Sequence, residues 1–336
     1  MQETVPDERR ILDLLTAYQQ SAALAAAIEL DLFTAIGQGE VDAEALAARV
    51  SASPRGVRIL GDYLVALELL EKRDERYRLT RLAAAYLDNR APGSIGSVSS
   101  FLSSDFLRSS FAAAAAAVRR GGAGEDGSST APEHPVWVSF ARDMEPLAAL
   151  EAERVAGALA EQRVGGRRVL DVAAGHGLYG IAVAKRDPQV EVVAVDWPAV
   201  LEVAESNARR AGVADRFSTR VGSALEIDLG GPYDLVLLPA FLHHFEPAVC
   251  ERLLTRLRAV LAPDGCLVTV ETLAPDGPVD SADGARFRFV MLVTTSGGDL
   301  YTYRELDRML GRAGFGASRL HPLPGSAQSV LLSPRG

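Results

Sequence analysis

The chain has 336 residues, of which 48% are hydrophobic and 24% charged, so it is long enough for two domains and too apolar for a disordered protein. Its 44 acidic residues outnumber its 35 basic ones, and the formal charge of -9 argues against a protein that mainly binds nucleic acid or an anionic membrane surface. Cys250 and Cys266 are its only cysteines, which excludes a disulfide framework and fits a reducing cytoplasm. The charged first residues and the lack of a run of about 18 to 20 apolar residues predict neither a signal peptide nor a membrane span.

The first part of the chain has the pattern of three helices followed by a hairpin. Residues 10–34 carry apolar side chains at helical spacing, which predicts a buried helix. Further helices are predicted at 43–50 and, after the break at Pro54, at 55–71, and the segment 71–80 is typical of a short hairpin. This order is that of a winged helix, for which DNA binding and a structural or dimerising role are the alternatives. The apolar third helix and the net negative charge of the chain favour the structural or dimerising role.

The middle of the chain joins this region to a different pattern. Residues 111–120 form an alanine-rich helix, and the run rich in glycine, serine and proline that follows, 121–135, predicts a mobile loop. A helical pattern resumes at 136–162.

Short apolar strands alternate with helices in the second half of the chain. The predicted strands are RRVLDVAA, VEVVAVD, PYDLVLLPAF and CLVTVE, and the clearest helix, 248–261, is followed by the stop signal Pro263-Asp264-Gly265. This alternation predicts an α/β fold with a parallel, doubly wound sheet. Ligands of such sheets bind beyond the carboxyl ends of the strands.

The first of these strand ends carries GHGLYG at residues 175–180, which matches the glycine pattern of dinucleotide-binding loops, and Asp196 closes the next strand. The pattern favours a nucleotide-like ligand over a purely structural turn. Asp171 lies within the strand before the loop. An additional carboxylate there repels a diphosphate and attracts a sulfonium and an α-amino group. The charges therefore predict S-adenosylmethionine as the cofactor.

Two histidines, His243 and His244, follow the third strand. A free imidazole takes up a proton near neutral pH, which predicts that His243 is a general base, with packing or helix capping as the alternative. Glu271 ends the fourth strand and either accepts a hydrogen bond from an imidazole or caps the next loop. Adjacent residues on a strand end point in different directions, so a metal site made of both histidines is not expected.

Together these segments resemble the class I S-adenosylmethionine-dependent small-molecule O-methyltransferases, which include plant phenolic, hydroxyindole and bacterial natural-product enzymes. LDVAAGHG resembles the first glycine-rich motif of that family, VDWPAVL its acid-x-proline segment and FLHHFEPAVC the segment with its catalytic histidine. The likeness covers nearly the whole chain. It implies a Rossmann-like, mostly parallel sheet of seven strands, preceded by a mainly α winged-helix domain that builds an intertwined homodimer.

The resemblance divides the chain into three parts. Residues 1–110 would be the winged-helix dimerisation domain, 111–165 the linker helices with the mobile loop, and 166–336 the domain that binds S-adenosylmethionine.

The resemblance also implies roles for individual residues. The cofactor would contact Asp171, Gly175, Gly177, Asp196, Trp197, Ser223 and Ala224. Asp196 would bind the ribose hydroxyls and Trp197 would lie against the adenine, whereas Ser223 and Ala224 would bind the adenine through backbone groups. The catalytic residues would be His243, with Glu271 orienting its ring. The acceptor pocket would be formed by Phe140, Met144, His244, Phe287 and Met291.

One position departs from the plant members of the family. Leu300 stands where these carry a second glutamate beside the catalytic histidine, and the neighbouring Asp299 is the candidate replacement. The missing glutamate leaves C- or N-methylation open, as well as hydroxylation, decarboxylation or rearrangement without methyl transfer.

The expected activity is transfer of a methyl group from S-adenosylmethionine to a hydroxyl of a small aromatic or polyketide-like natural product, with release of S-adenosylhomocysteine. We expect a cytoplasmic homodimer without a metal, a nucleic acid partner or a membrane partner. A winged-helix regulator that binds DNA is the remaining alternative.

Overall fold

The computed structural model describes residues 7–124, 127–275 and 282–336, except for the side chain of Ala282. Residues 1–6 of the predicted dimerisation domain, 125 and 126 of the predicted mobile loop and 276–281 of the predicted S-adenosylmethionine-binding domain lie outside the described residues. The chain forms two compact units, which meet in sequence between Ser104 and Asp105.

The first unit is mainly helical and has the order of a winged helix. Its helices are α1 (Glu8–Glu29), α2 (Leu32–Ile36), α3 (Ala43–Arg49), α4 (Pro54–Ala66), α5 (Arg81–Tyr86) and α6 (Val98–Leu102). Its strands are β1 (Val41–Asp42), β2 (Leu70–Arg73) and β3 (Arg76–Leu79), which form an antiparallel sheet in the order β1-β3-β2. The predicted hairpin at 71–80 is thus confirmed.

The predicted third helix is shorter than expected. It ends at Ala66 rather than at residue 71, because Glu68 adopts a left-handed backbone conformation and Leu70 already belongs to β2. Tyr77 of β3 is fully buried against α4, where a Cβ at Gly61 would lie 2.9 Å from the Tyr77 ring. Gly61 therefore allows the helix and the sheet to approach closely.

The prediction of one buried helix at 10–34 is wrong. The segment forms α1 and α2, separated by Asp31 in the left-handed region. Ile11, Leu14, Leu15 and Tyr18 are 59% to 69% exposed. By length and mean hydropathy α1 could also cross a membrane, contrary to the expectation that no stretch of the chain could.

The second unit contains the α/β sheet. Its helices are α7 (Asp105–Ala112), α8 (Ala114–Arg120), α9 (Val136–Asp143), α10 (Glu145–Glu161), α11 (Leu178–Arg186), α12 (Pro198–Arg210), α13 (Pro247–Ala259), α14 (Ala282–Thr294) and α15 (Tyr303–Arg312). Its strands are β4 (Arg168–Val172), β5 (Glu191–Asp196), β6 (Phe217–Val221), β7 (Tyr233–Pro239), β8 (Leu261–Thr272), β9 (Arg319–Pro322) and β10 (Gln328–Pro334).

Seven strands form one sheet in the order β6-β5-β4-β7-β8-β10-β9. The first five run parallel, and β10 is antiparallel to both β8 and β9. Residues 235–238 of β7 are all buried, as expected for a central strand covered on both faces. The predicted α/β fold with a mostly parallel sheet of seven strands is confirmed.

Two helix boundaries differ from the prediction. The helix predicted at 248–261 is α13, which ends at Ala259, and the expected stop signal at 263–265 lies within β8. There the pairing with β7 shifts between Tyr233 and Leu235. The helix predicted at 136–162 is broken at Met144 into α9 and α10.

The described residues of the segment 121–135 are attached to the end of α14. Ala123 donates its backbone N–H to the Thr295 carbonyl at 2.7 Å, and Ser129 donates to the Thr294 carbonyl at 2.8 Å. Ser128 and Ser129 are buried. The mobility of the segment stays a prediction.

Candidate active site

The predicted functional residues meet at one edge of the sheet. Strands β5, β4, β7 and β8 are consecutive neighbours and parallel, so their carboxyl ends lie side by side. Asp171 belongs to β4, Asp196 ends β5, His243 follows β7 and Glu271 belongs to β8. The structure therefore brings together the two acids of the predicted cofactor site and the predicted catalytic pair.

Asp171 is a fully buried carboxylate with one unused oxygen. Its Oδ2 accepts the Gly180 N–H at 2.9 Å, whereas its Oδ1 is buried and has no hydrogen-bond partner among the described residues. Burial raises the pKa of Asp171 to about 7, and the negative charge of Asp196 contributes in the same direction. Such a group binds a cation favourably, because the cation replaces the hydration that the carboxylate has lost.

Asp196 fixes the glycine-rich loop. Its Oδ2 accepts the Gly175 N–H at 2.8 Å, and its Oδ1 accepts the Trp197 N–H at 2.7 Å. Burial raises the pKa of Asp196 to about 6, although these two backbone hydrogen bonds oppose the shift. Neither Asp171 nor Asp196 forms an ion pair with any residue that the structure describes.

The two predicted glycines of the loop serve different purposes. Both adopt positive φ angles, 57° at Gly175 and 71° at Gly177, which favour glycine. A Cβ at Gly177 would lie 2.9 Å from the Ala204 Cβ, so this glycine is needed for packing against α12. A Cβ at Gly175 would meet nothing closer than the Ala173 carbonyl at 4.0 Å. Gly175 therefore presents open backbone on which a ligand could rest.

The remaining predicted cofactor residues follow β5 and β6. Trp197 has an extended backbone before Pro198, the first residue of α12, and its half-buried ring packs against the cluster around Val200. Ser223 is half-buried, and its Oγ accepts the Leu225 N–H at 3.2 Å. The Ala224 side chain lies in the hydrophobic core. Its side chain thus faces away from a ligand, and any contact to the adenine would come from its backbone.

His243 and Glu271 form a buried pair. His243 is 6% exposed and Glu271 is 2% exposed, and the His243 Nδ1 lies 2.6 Å from the Glu271 Oε2. The other carboxylate oxygen, Oε1, accepts the N–H groups of Phe241 and Leu242 at 3.0 and 2.8 Å. Glu271 thereby positions both the imidazole ring and the 3₁₀ helix Leu242–His244 that carries it.

Asp299 does not replace the glutamate that is absent at Leu300. Its two carboxylate oxygens accept hydrogen bonds from Arg288 at 2.7 and 2.8 Å, in an ion pair that is about half-exposed. Leu300 is buried with Met291 in a small apolar cluster. The carboxylate beside His243 is that of Glu271.

Aromatic side chains surround the two histidines. The Phe287 ring lies 5.0 Å from the His243 ring, and Trp137 lies 5.0 Å from His244, both edge to face. His244 is 8% exposed, and its Nδ1 has no hydrogen-bond partner among the described residues. Burial lowers the pKa of His244 well below its usual value, so the ring is neutral. Trp137 is a site residue that the sequence analysis missed.

The other predicted pocket residues are distributed around this cluster. Met291 is buried and packs with the half-buried Phe287. Phe140 stacks on His176, with 6.3 Å between the ring centres, and lies edge to face with Trp137 at 5.8 Å. Met144 is half-buried at the break between α9 and α10.

The site fits a cationic nucleoside-like ligand. It offers the unpaired Oδ1 of Asp171, the carboxylate of Asp196 and the open backbone at Gly175, a set that attracts a sulfonium and an ammonium group and repels phosphates. Within the described ranges, no group of three or more histidine, cysteine, aspartate or glutamate residues is placed to hold a metal ion.

Comparison with known proteins gives the family. Residues 128–316 match the model of the O-methyltransferase domain, and residues 12–89 match that of the O-methyltransferase dimerisation domain. The chain is 30% identical to the 3-hydroxy-5-methyl-1-naphthoate 3-O-methyltransferase of Streptomyces sahachiroi, over 90% of this chain and 88% of that protein. The chain therefore belongs to the O-methyltransferase family, and it is an enzyme that uses S-adenosylmethionine.

Solved structures agree with this assignment. A candidate O-methyltransferase from Nostoc punctiforme matches with a TM-score of 0.94 and 43% identity, over 98% of this chain and 100% of the other. Human N-acetylserotonin methyltransferase in complex with S-adenosylmethionine matches with a TM-score of 0.84 over the whole of both chains. At 24% identity, this second match shows the shared fold alone. The resemblance inferred from the sequence is confirmed.

Proposed function

We propose that the enzyme methylates a hydroxyl group of a small, flat aromatic or polyketide-like molecule, with His243 as the general base. The observation that carries this proposal is the buried pair of His243 Nδ1 and Glu271 Oε2, 2.6 Å apart, at the sheet edge that also holds Asp171. In this pair, Nδ1–H donates a hydrogen bond to the Glu271 carboxylate, so the lone pair of Nε2 can take a proton from the acceptor.

The aromatic surroundings of His243 support a flat acceptor. Rings of Phe287 and Trp137 lie 5.0 Å from His243 and from His244, respectively, and such rings stack well on another aromatic system. The naphthoate methyltransferase that is 30% identical to this chain acts, by its name, on a hydroxylated fused ring. We therefore propose Phe140, Met144, His244, Phe287 and Met291 as the wall of the acceptor pocket.

The cofactor residues follow from charge and position. In this proposal, Asp171 faces the α-ammonium group, Asp196 accepts hydrogen bonds from the ribose hydroxyls, and Gly175 and Gly177 form the backbone platform. Trp197 lies against the adenine, which the backbone of Ser223 and Ala224 also contacts. When bound, S-adenosylmethionine supplies a methyl group that is attached to a positively charged sulfonium. After the methyl group is transferred, the remaining sulfur compound is the neutral thioether S-adenosylhomocysteine.

Alignment contributes most of the rate enhancement in this mechanism. A sulfonium is already an activated leaving group, so the chain mainly has to hold the hydroxyl in line with the methyl group. Such positioning can supply about 7 to 11 kcal/mol, whereas a poised base adds about 10² to 10⁴ in rate. His243 removes the hydroxyl proton as the new O–C bond forms, and Glu271 stabilises the imidazolium that results.

Incubation with S-adenosylmethionine and a set of hydroxynaphthoates tests this activity. We expect S-adenosylhomocysteine and an O-methyl product in equal amounts, because each transfer consumes one methyl donor. The matched control is the same acceptor with its hydroxyl already methylated, which should release none. A product methylated on carbon or nitrogen, or turnover without S-adenosylhomocysteine, would overturn the proposed reaction.

Two basic residues of the winged helix are paired with neighbouring acids. Lys72 lies 2.9 Å from both Asp62 and Glu75, and Arg78 pairs with Glu71. Because neighbouring acids neutralise these two side chains, they contribute little to the positive surface that DNA binding by a regulator would need.

We further propose that the amino-terminal unit forms a homodimer in the cytoplasm through α1. The family model for residues 12–89 is that of a dimerisation domain, and the apolar side chains of Ile11, Leu14, Leu15 and Tyr18 are exposed in the single chain. A second copy would cover this face. The two free cysteines agree with a reducing compartment.

Placing charges on this face is expected to separate the dimer. The double substitution Leu14→Glu and Leu15→Glu would bury two carboxylates at the interface, which is strongly unfavourable. We expect a dimer for the wild type and a monomer for the variant in size-exclusion chromatography with light scattering. Glu8→Gln and Arg9→Gln on exposed residues of the same helix serve as the control. A variant that stays dimeric would contradict the role of α1.

A further inference from the structure

The glycine-rich loop contains a buried histidine to which the mechanism gives no role. His176 lies between Gly175 and Gly177 and is only 4% exposed. Its backbone is fixed, because the Asn207 Nδ2 donates a hydrogen bond to the His176 carbonyl at 2.9 Å. A polar ring enclosed in a ligand-binding loop calls for a physical reason.

The hydrogen bonding of His176 fixes its tautomer. The Leu178 N–H donates to the His176 Nδ1 at 3.2 Å, so Nδ1 must carry a lone pair and the proton of the neutral ring is on Nε2. Burial lowers the pKa of His176 to about 4, which keeps the ring in this neutral form at neutral pH. The loop therefore holds a neutral N–H donor at Nε2.

The orientation of the ring is fixed as well. Phe140 stacks on His176 at 6.3 Å, with 22° between the ring planes. The Tyr179 ring, in the first turn of helix α11 that follows the loop, lies 5.9 Å from the His176 ring. Because Nδ1 is turned toward the Leu178 amide, Nε2–H points away from it. This donor has no partner among the residues that the structure describes. A donor held in this way, on a residue that is otherwise only 4% exposed, is prepared for a ligand.

The charges around the loop show which ligand group needs such a donor. Neither lysine nor arginine occurs between residues 169 and 184, and Lys185 at the end of α11 pairs with Glu153. Asp171 and Asp196 supply only negative charge. A methionine group carries both an α-ammonium and an α-carboxylate, and the donors that residues 169–184 offer the carboxylate are neutral N–H groups, such as those at the start of α11.

We propose that the His176 Nε2–H donates a hydrogen bond to the α-carboxylate of S-adenosylmethionine and of S-adenosylhomocysteine. This inference rests on the proposed cofactor site and adds a residue to it. Asp171 recognises the ammonium end of the amino acid and His176 the carboxylate end, so that together they select a ligand with an intact amino acid group.

Titration calorimetry with two ligands tests this role. The first ligand is S-adenosylhomocysteine, and the second is its decarboxylated analogue, which keeps the adenosine, the sulfur and the amine. In His176→Asn, the side-chain oxygen can still accept the Leu178 N–H, but the Nε2 donor is lost. We expect this variant to bind S-adenosylhomocysteine about tenfold more weakly and the analogue as well as the wild type does.

Two further variants make the test specific. His176→Gln keeps an N–H donor near the position of Nε2, and we expect it to restore most of the preference for the carboxylate. His321→Asn, on strand β9 at the far edge of the sheet, is the matched control and should leave both affinities unchanged. Thermal melting of each variant checks that it is folded.

The outcomes separate the inference from the proposed function. Equal weakening of both ligands in His176→Asn would show that the ring only supports the loop, and no weakening of either would show that it contacts neither; both results overturn the inference alone. A wild type that binds no S-adenosylhomocysteine would overturn the proposed function as well.

Discussion

Substitution of His243 by alanine is expected to lower kcat by about 10² to 10⁴ while the affinity for S-adenosylhomocysteine stays nearly unchanged. The imidazole is held by Glu271 at 2.6 Å, so its loss removes the group that takes the hydroxyl proton. The acids of the cofactor site lie on other strands, β4 and β5. Steady-state kinetics with a hydroxynaphthoate and calorimetry with S-adenosylhomocysteine measure the two effects separately.

The acidity of the acceptor provides a second readout of the same role. An acceptor whose hydroxyl is already ionised needs no base, so the ratio of wild-type to His243→Ala rates should shrink as the acceptor becomes more acidic. A residue that only packed in the pocket would give the same ratio for every acceptor. His321→Ala, on β9, is the control for the substitution itself. Near-normal turnover of His243→Ala would remove the base from the mechanism.

The catalytic pair could be predicted because strand order fixes where strand ends meet. His243 and Glu271 follow or end adjacent parallel strands, so their closeness needs no knowledge of loop conformation. Asp299 lies on an irregular segment, where one residue of offset changes the direction of a side chain. Its pairing with Arg288 could therefore not be predicted from its position beside Leu300.

Contacts between residues that are far apart in the chain could also not be predicted from the sequence. Trp137 lies on α9, far from His244 along the chain, and no spacing connects the two. The pairing of Phe140 with His176 is of the same kind. The pattern of α9 shows which of its residues are apolar, but not which distant side chains they contact.

The fold was predicted best where hydrophobic patterns are strong. Strands β4, β5, β7 and β8 each contain a run of mostly apolar residues, whereas β6, with the sequence FSTRV, is a polar edge strand that carries a weak signal. The exposed face of α1 illustrates a different limit. Its periodicity is that of a helix with one covered face, but periodicity does not distinguish burial within a chain from burial against a second copy.

The second large effect is expected from the pH dependence of cofactor binding. Burial raises the pKa of Asp171 to about 7 and that of Asp196 to about 6. A cation at Asp171 binds the ionised form, so below these values a proton must leave before the ligand can bind. Affinity therefore falls as the pH is lowered below about 8, while the ligand's α-amino group stays protonated. His176, with a pKa lowered to about 4 by burial, stays neutral over this range.

The affinity for S-adenosylhomocysteine is accordingly expected to fall about 100-fold between about pH 8 and pH 5 through Asp171, with up to about tenfold more through Asp196. Asp171→Asn keeps an oxygen for the Gly180 N–H but has no charge. Its affinity should be about 100-fold lower than that of the wild type at pH 8 and within about twofold of it at pH 5, where almost all of the wild-type carboxyl is protonated. Calorimetry across this range, with Asp187→Asn on the exposed loop before β5 as the control, measures the convergence. If the Asp171 charge faces the ligand, losing it by protonation and losing it by substitution must weaken binding equally. Affinity curves of the wild type and of Asp171→Asn that stay parallel across the pH range would therefore show that this charge does not face the ligand.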